Sequence, residues 1–171
     1  MTVAAFVTLV LGGARSGKSR YAERLIEAAP PPWQYVATAE PLDDEMRARI
    51  AEHRTRRPPQ WRTIEAPRAL AEALTAAPPG AAVLVDCLTL WLSNLMLAGI
   101  AMAPEADRLE QALARRGGPT VLVANEVGSG IVPENALARR FRDEAGRLNQ
   151  RLAARADRVV LLVAGIPLQV K

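Results

Sequence analysis

The sequence predicts a three-layer α/β domain built on a mainly parallel sheet. Five short apolar runs recur along the chain, and stretches with helical spacing of apolar residues separate them. The runs are continuously apolar rather than alternating, as expected of strands covered on both faces. Pro-rich pieces (PPPW, RRPPQW, APPG) are short, so they read as connectors inside one domain spanning 1–171.

In chain order, AAFVTLVL (4–11) is a buried first strand, and 17–29 is a helix with Tyr21, Ala22, Leu25, Ile26 and Ala29 along one face. QYVAT (34–38) is a second strand, followed by a charged helix over 42–56. A helix over 66–77 leads to strand AAVLVD (81–86), and helices over 88–98 and 104–116 follow. PTVLVANE (119–126), a long helix over 134–156 and RVVLLVAG (158–165) complete the expected elements. Between 119–126 and that helix, NEVGSGIVPE is Gly-rich and ends near Pro133, which reads as a mobile loop over a cleft.

Composition narrows the class without naming a function. Half of the 171 residues are hydrophobic, yet no apolar run approaches the ~20 residues of a membrane span. The apolar start lacks a basic n-region and runs straight into a Gly-rich loop, unlike a signal peptide. A single cysteine, Cys87, excludes an internal disulfide and, with the rest, points to a cytoplasmic protein. The net charge of +4 suits nucleic acid and phosphate-rich small molecules equally.

GGARSGKS (12–19) satisfies the pattern G-x-x-x-x-G-K-[ST] between a strand and a helix, the context that gives the pattern meaning. Backbone N–H groups of Gly12, Gly13, Ala14, Arg15, Ser16 and Gly17 can curl around a phosphate, and the following helix adds partial positive charge. Lys18 is placed for the β- and γ-phosphates, and the Ser19 hydroxyl can ligate Mg²⁺. Asp86 ends one apolar strand and Glu126 another, both at the edge where ligands bind in such sheets. Either acid can hold Mg²⁺ or orient a nucleophile; as a lone residue, either can equally cap the next helix. Together these features establish a site for a Mg²⁺-nucleoside triphosphate and leave the acceptor open.

The only histidine, His53, lies in MRARIAEHRTRRP (46–58). Leu42, Met46, Ile50 and His53 fall on one helical stripe, with Asp43 or Asp44 at the N-terminus and Pro58 beyond the end. Periodicity by itself favours an ordinary helix-terminal histidine with solvated arginines at 54, 56 and 57. A cluster of that kind also suits polyphosphate oxygens.

GGARSGKSRYAE, VATAEPLDDEMRARIAEHRTRRPPQWRTIEAP, VLVDCLTLWLSNLM and the block from VLVANEVGSGIVPE to VVLLVAGIPL together resemble the bifunctional adenosylcobinamide kinase / adenosylcobinamide-phosphate guanylyltransferase family, nearly end to end and in order. That resemblance implies a RecA-like P-loop fold, a homotrimer and two reactions. A triphosphate, ATP or GTP, phosphorylates the aminopropanol hydroxyl of adenosylcobinamide. GTP then donates GMP to adenosylcobinamide phosphate through a GMP–histidine, releasing pyrophosphate. The family's nucleophile matches His53. Its nucleotide pocket matches the P-loop, Ala37, Thr38, Ala39, Arg54, Thr55, Arg56, Arg57, Glu65 and Asp86, with Ser19 and Asp86 as metal candidates. Glu126 is the candidate to orient the acceptor or Mg²⁺.

Two rival readings exist: a monofunctional P-loop kinase with a structural His53, and a RecA-like module binding nucleic acid through arginines. Against the second, basic residues are mixed with acids and aromatics make up 4% of the chain, so no nucleic-acid partner is expected.

Overall fold

Val7–Gly12 (β1) is followed by the phosphate loop and Lys18–Glu27 (α1), then Trp33–Ala37 (β2), Asp44–Arg56 (α2) and Trp61–Glu65 (β3). Leu70–Ala76 (α3), Val83–Asp86 (β4), Leu88–Leu97 (α4), Met102–Ala114 (α5), Thr120–Asn125 (β5), Ala136–Arg155 (α6), Arg158–Val163 (β6) and Ile166–Gln169 (β7) complete the chain. This computed structural model describes residues 6–171 except Leu42; within α2 it describes the backbone but not the side chains of Arg49, His53 and Arg56.

All seven strands share one sheet in the order β3-β2-β4-β5-β1-β6-β7, parallel except for the last pair. Successive side chains of a strand point to opposite faces, and the core divides accordingly. Val10, Leu84, Val121, Val123 and Val160 pack with Ala22 and Ile26 of α1. Leu9, Val83, Val85, Leu122 and Ala124 pack on the other face with residues of α3, α4, α5 and α6. Both faces of the inner strands are therefore dry, as their continuous apolar runs predict.

Two strands escape the sequence reading. β3 is largely uncovered, with Trp61 buried, Ile64 half-buried and Arg62, Thr63 and Glu65 exposed, and it occupies one edge of the sheet. β7 is exposed throughout and pairs antiparallel with β6 at the other edge. Edge strands have one uncovered margin and need no continuous apolar run, so a search for buried strands passes over them. The turn between β6 and β7 uses Ala164 and Gly165, both at positive φ (51° and 81°), as tight hairpin turns require. The helices expected at 17–29, 42–56, 66–77, 88–98, 104–116 and 134–156 are all present with slightly different ends.

Residues 126–135 form no helix or strand, and 128–132 are exposed. In α2, Asp43 caps the N-terminus, its Oδ1 accepting from Met46 N at 2.7 Å. No described side chain of α2 is fully buried; Met46 and Ile50, from the predicted stripe, are the half-buried ones.

Candidate active site

Parallel strands end at the same edge, and here that edge collects residues far apart in sequence. Gly12 is in register with Asn125, while Ala37 is in register with both Asp86 and Glu65. The order across the edge is therefore Glu65, Ala37, Asp86, Asn125, Gly12. β5 lies between the phosphate-loop strand and the Asp86 strand, and Glu126, the residue after β5, stands three residues beyond Val123, the register partner of Asp86. Glu126 N donates to Gly12 O at 3.0 Å, and Glu126 Oε1 accepts from Gly128 N at 2.7 Å.

The loop itself is tightly constrained. A Cβ on Gly12 would lie 2.6 Å from Leu162 O and from Ser16 Oγ, so only glycine fits. Gly17 adopts φ 94° at the N-cap of α1, a conformation that glycine takes without strain. Gly165 N, from the β6–β7 turn, donates to Ser16 O at 3.0 Å. The C-terminal hairpin thus braces the phosphate loop, a role invisible in the local pattern.

Lys18 is 7% exposed, and its Nζ donates to Gly13 O at 2.5 Å. Burial lowers its pKa below the usual 10.5, with Cys87 and Asp86 acting in the opposite direction. Cys87 is buried, and desolvation followed by the nearby Asp86 charge pushes its thiol up to about 11. It remains a protonated thiol near neutral pH and is no nucleophile there.

Asp86 has a partner that sequence reasoning did not anticipate. Tyr35 Oη donates to Asp86 Oδ2 at 3.0 Å. Burial first, then the Asp86 charge, holds the Tyr35 pKa well above 10, so the phenol stays a donor. The Arg57 guanidinium carbon sits 3.4 Å from the Tyr35 ring centroid, a cation–π stack. Arg57 immediately follows α2, so the end of the helix that carries His53 is tied through Tyr35 to Asp86. Tyr35 was read only as part of an apolar strand; nothing local marks its hydroxyl. Tyr35→Phe is expected to lower nucleotide-dependent rates by about 10- to 100-fold, the loss of a hydrogen bond to a charged group being worth ~1.5–3 kcal/mol. A rate loss that persisted undiminished in an Asp86→Asn background would show that the hydroxyl does not act through Asp86.

Thr38 is buried: its Oγ1 donates to Cys87 O at 2.7 Å and accepts from Cys87 N at 2.8 Å, so it braces the strand end beside Asp86. Asn94 Nδ2 donates to Thr38 O at 2.8 Å and Pro67 O at 2.9 Å, a second brace that the sequence did not flag. Ala37 and Ala39 are half-buried beside it; Glu65 is exposed at the β3 end. Ser19 is half-buried in the first turn of α1. Arg54 and Thr55 are exposed, and Thr55 Oγ1 donates to Ala51 O at 2.7 Å within its own helix. The side chains of His53 and Arg56 lie outside the described residues.

The family model for CobU, cobinamide kinase / cobinamide phosphate guanyltransferase, matches residues 8–170. The chain belongs to the CobU family. The bifunctional adenosylcobalamin biosynthesis protein CobP of Pseudomonas aeruginosa is 51% identical over 166 residues, covering 95% of this chain and 96% of its own length. The corresponding CobU proteins of Salmonella typhimurium and Escherichia coli are 49% and 46% identical, each covering 95% of this chain and 98% of their own. As a CobU-family member the chain is a transferase with kinase and guanylyltransferase activities. Solved structures share its fold at low identity. A type III secretion ATPase superposes with a TM-score of 0.55 at 12% identity, over 94% of this chain and 51% of the ATPase. The assembled ATPase EscN of enteropathogenic E. coli gives 0.54 at 11%, over 94% of this chain and 43% of its own. The CobU-family chain is thus a RecA-like P-loop fold with a mostly parallel sheet.

Proposed function

We propose that both transfers of the CobU family take place at the single edge that gathers Gly12–Ser19, Asp86 and Glu126. The chain phosphorylates the aminopropanol hydroxyl of adenosylcobinamide with ATP or GTP, then transfers GMP from GTP to the resulting phosphate. The observation that carries this reading is the Arg57–Tyr35–Asp86 connection, which joins the end of the His53 helix to Asp86, the carboxylate whose charge acts on Lys18 of the phosphate loop.

In the kinase step, loop N–H groups and the α1 N-terminus hold the phosphates, and Lys18 leaves Gly13 O to contact the transferring oxygens. The acceptor oxygen bonds to the γ-phosphorus, the bond to the β-bridging oxygen breaks, and the hydroxyl proton leaves to Glu126 or water. In the guanylyl step, neutral His53 attacks the α-phosphorus of GTP, and pyrophosphate departs with the bridging oxygen. A phosphate oxygen of adenosylcobinamide phosphate then attacks that phosphorus, and the P–N bond breaks to return the histidine. Arg54, Arg56 and Arg57 supply positive charge for these phosphates.

Ser19 and Asp86 would hold Mg²⁺. No group of three or more His, Cys, Asp or Glu capable of holding a metal occurs among the described residues. A hydroxyl and one carboxylate suit an ion carried largely by substrate phosphates and water. When bound, Mg²⁺ neutralises charge developing on the phosphate oxygens.

No described helix is long and apolar enough to cross a membrane, and the reading assigns the chain to the cytoplasm. The homotrimer implied by the resemblance is supported by β7. Ile166 and Leu168 share one side of this edge strand, Val170 lies just beyond its end, and each is more than half exposed. Such an uncovered apolar edge is a site of association. Leu168→Lys should shift the mass in sedimentation equilibrium towards the protomer; an unchanged trimer would place the interface elsewhere.

The function is tested with adenosylcobinamide, Mg²⁺ and GTP labelled at the α-phosphate. Labelled adenosylcobinamide-GDP should form, and protein denatured before the acceptor is added should retain label in an acid-labile, alkali-stable bond. Corrinoid phosphate accumulating without any guanylylated product would favour the monofunctional kinase.

A further inference from the structure

α4 and α6 leave the catalytic edge together. Asn125 N donates to Thr89 Oγ1 at 2.7 Å in the first turn of α4, and Asn149 Nδ2 of α6 donates to Asn125 O at 3.3 Å. From Asn149, α6 continues inward to the opposite sheet edge, where Asp157 N meets Val7 O at 2.9 Å. Its N-terminal half therefore projects beyond the catalytic edge. The outer end of α4 follows it, because Ser93, Met96 and Leu97 face Leu137, Ala138 and Phe141 across a cleft of about 350 Å³.

At ~1.5 Å of rise per residue, Met96 and Phe141 lie roughly 10–12 Å along their helices from the Asn125 anchor. Asn125 is the strand partner of Gly12, so the anchor of both helices lies beside the strand that leads into the phosphate loop. Its walls are mostly apolar, with Ser93 and Asn135 as the polar members, yet Leu97 is 67% exposed and Leu137 52% exposed. Ile131 and Val132, also exposed, precede it on the loop that joins β5 to α6.

We propose that this cleft seats one edge of the corrin macrocycle of the acceptor. The assignment rests on the reading of the chain as a corrinoid kinase and guanylyltransferase. The acceptor is a broad macrocycle bearing its reacting hydroxyl on a flexible amide arm. That arm spans roughly seven bonds, about 8 Å at the extended-chain spacing of ~3.5 Å per three bonds. The roughly 10–12 Å from cleft to anchor exceeds the arm alone, so with one ring edge held between α4 and α6 the body of the macrocycle spans the remainder and the arm carries the hydroxyl to the phosphate loop. The volume lies near the lower end of the roughly 300–1,000 Å³ typical of ligand pockets, so it fits an edge rather than the whole ring. Binding energy gathered there, remote from the reacting atoms, positions the arm.

The test uses Ala138→Trp, which fills the cleft, and Leu97→Asp, an exposed change that leaves folding intact. Adenosylcobinamide KM should rise roughly tenfold or more in both, the scale on which apolar pockets discriminate. GTP binding and retention of α-phosphate label should match wild type. With a fragment acceptor, an N-acyl 1-amino-2-propanol lacking the macrocycle, variants and wild type should be equally slow. An unchanged corrinoid KM in both variants overturns the proposal. So does a KM loss that tracks dissociation of subunits in sedimentation, which would make the cleft a contact with a second copy. If wild type turns over no corrinoid, the function itself has failed; if wild type is active and the variants match it, only the cleft assignment has.

Discussion

His53→Ala should leave no α-phosphate label on the denatured protein after incubation with Mg²⁺ and GTP. Wild type should retain it in an acid-labile, alkali-stable bond, the stability expected of a phosphoramidate. The chain has one histidine, so no second imidazole can substitute. Guanylyl transfer should fall by about 10³-fold or more, as when a covalent nucleophile is removed and only binding and charge stabilisation remain. Corrinoid phosphorylation should survive within a few-fold, because it needs the phosphate loop and not the imidazole. α2 buries no described side chain fully, so the substitution is not expected to unfold the protein. Label persisting in His53→Ala would assign the covalent bond to another residue and return His53 to a structural role.

Lys18→Ala should impair both reactions, with each rate reduced by about 10²–10³-fold, the usual cost of removing a group that stabilises transition-state charge. One phosphate loop is present among the described residues, and its lysine is buried beside the strand that ends in Asp86. The loss should not come from unfolding. Burial lowers the Lys18 pKa below 10.5, so above the folded value the unfolded chain binds more protons and stability rises with pH up to about 10.5. Removing the amine relieves that cost. Lys18→Met, which keeps most of the volume, should melt no lower than wild type and show a flatter alkaline stability profile. Intact kinase activity in either variant would require a second nucleotide site.

The phosphate loop was legible because its chemistry is local. Glycines, lysine and serine act within eight consecutive residues, and the flanking strand and helix announce themselves by hydrophobic pattern. Asp86 and Glu126 were legible because a polar residue ending an apolar run marks the ligand edge of a parallel sheet. The helix over His53 was legible from its capping aspartate and stripe. Tyr35 was not, because its hydroxyl matters only through Asp86, 51 residues away in sequence. Nor was Gly165, whose N–H supports Ser16 from a hairpin at the far end of the chain. β3 and β7 were missed because edge strands carry no continuous apolar signature.

Residue order alone was enough to indicate an α/β chain, a phosphate-loop pattern between a strand and a helix, and the helix on which the single histidine falls, since each rests on contacts within about one turn or one strand. The fold decided which distant groups meet: Arg57 on Tyr35, Tyr35 on Asp86, Gly165 under the loop, and α4 against α6 above Asn125. Those contacts depend on strand order and helix direction, which side-chain periodicity does not encode.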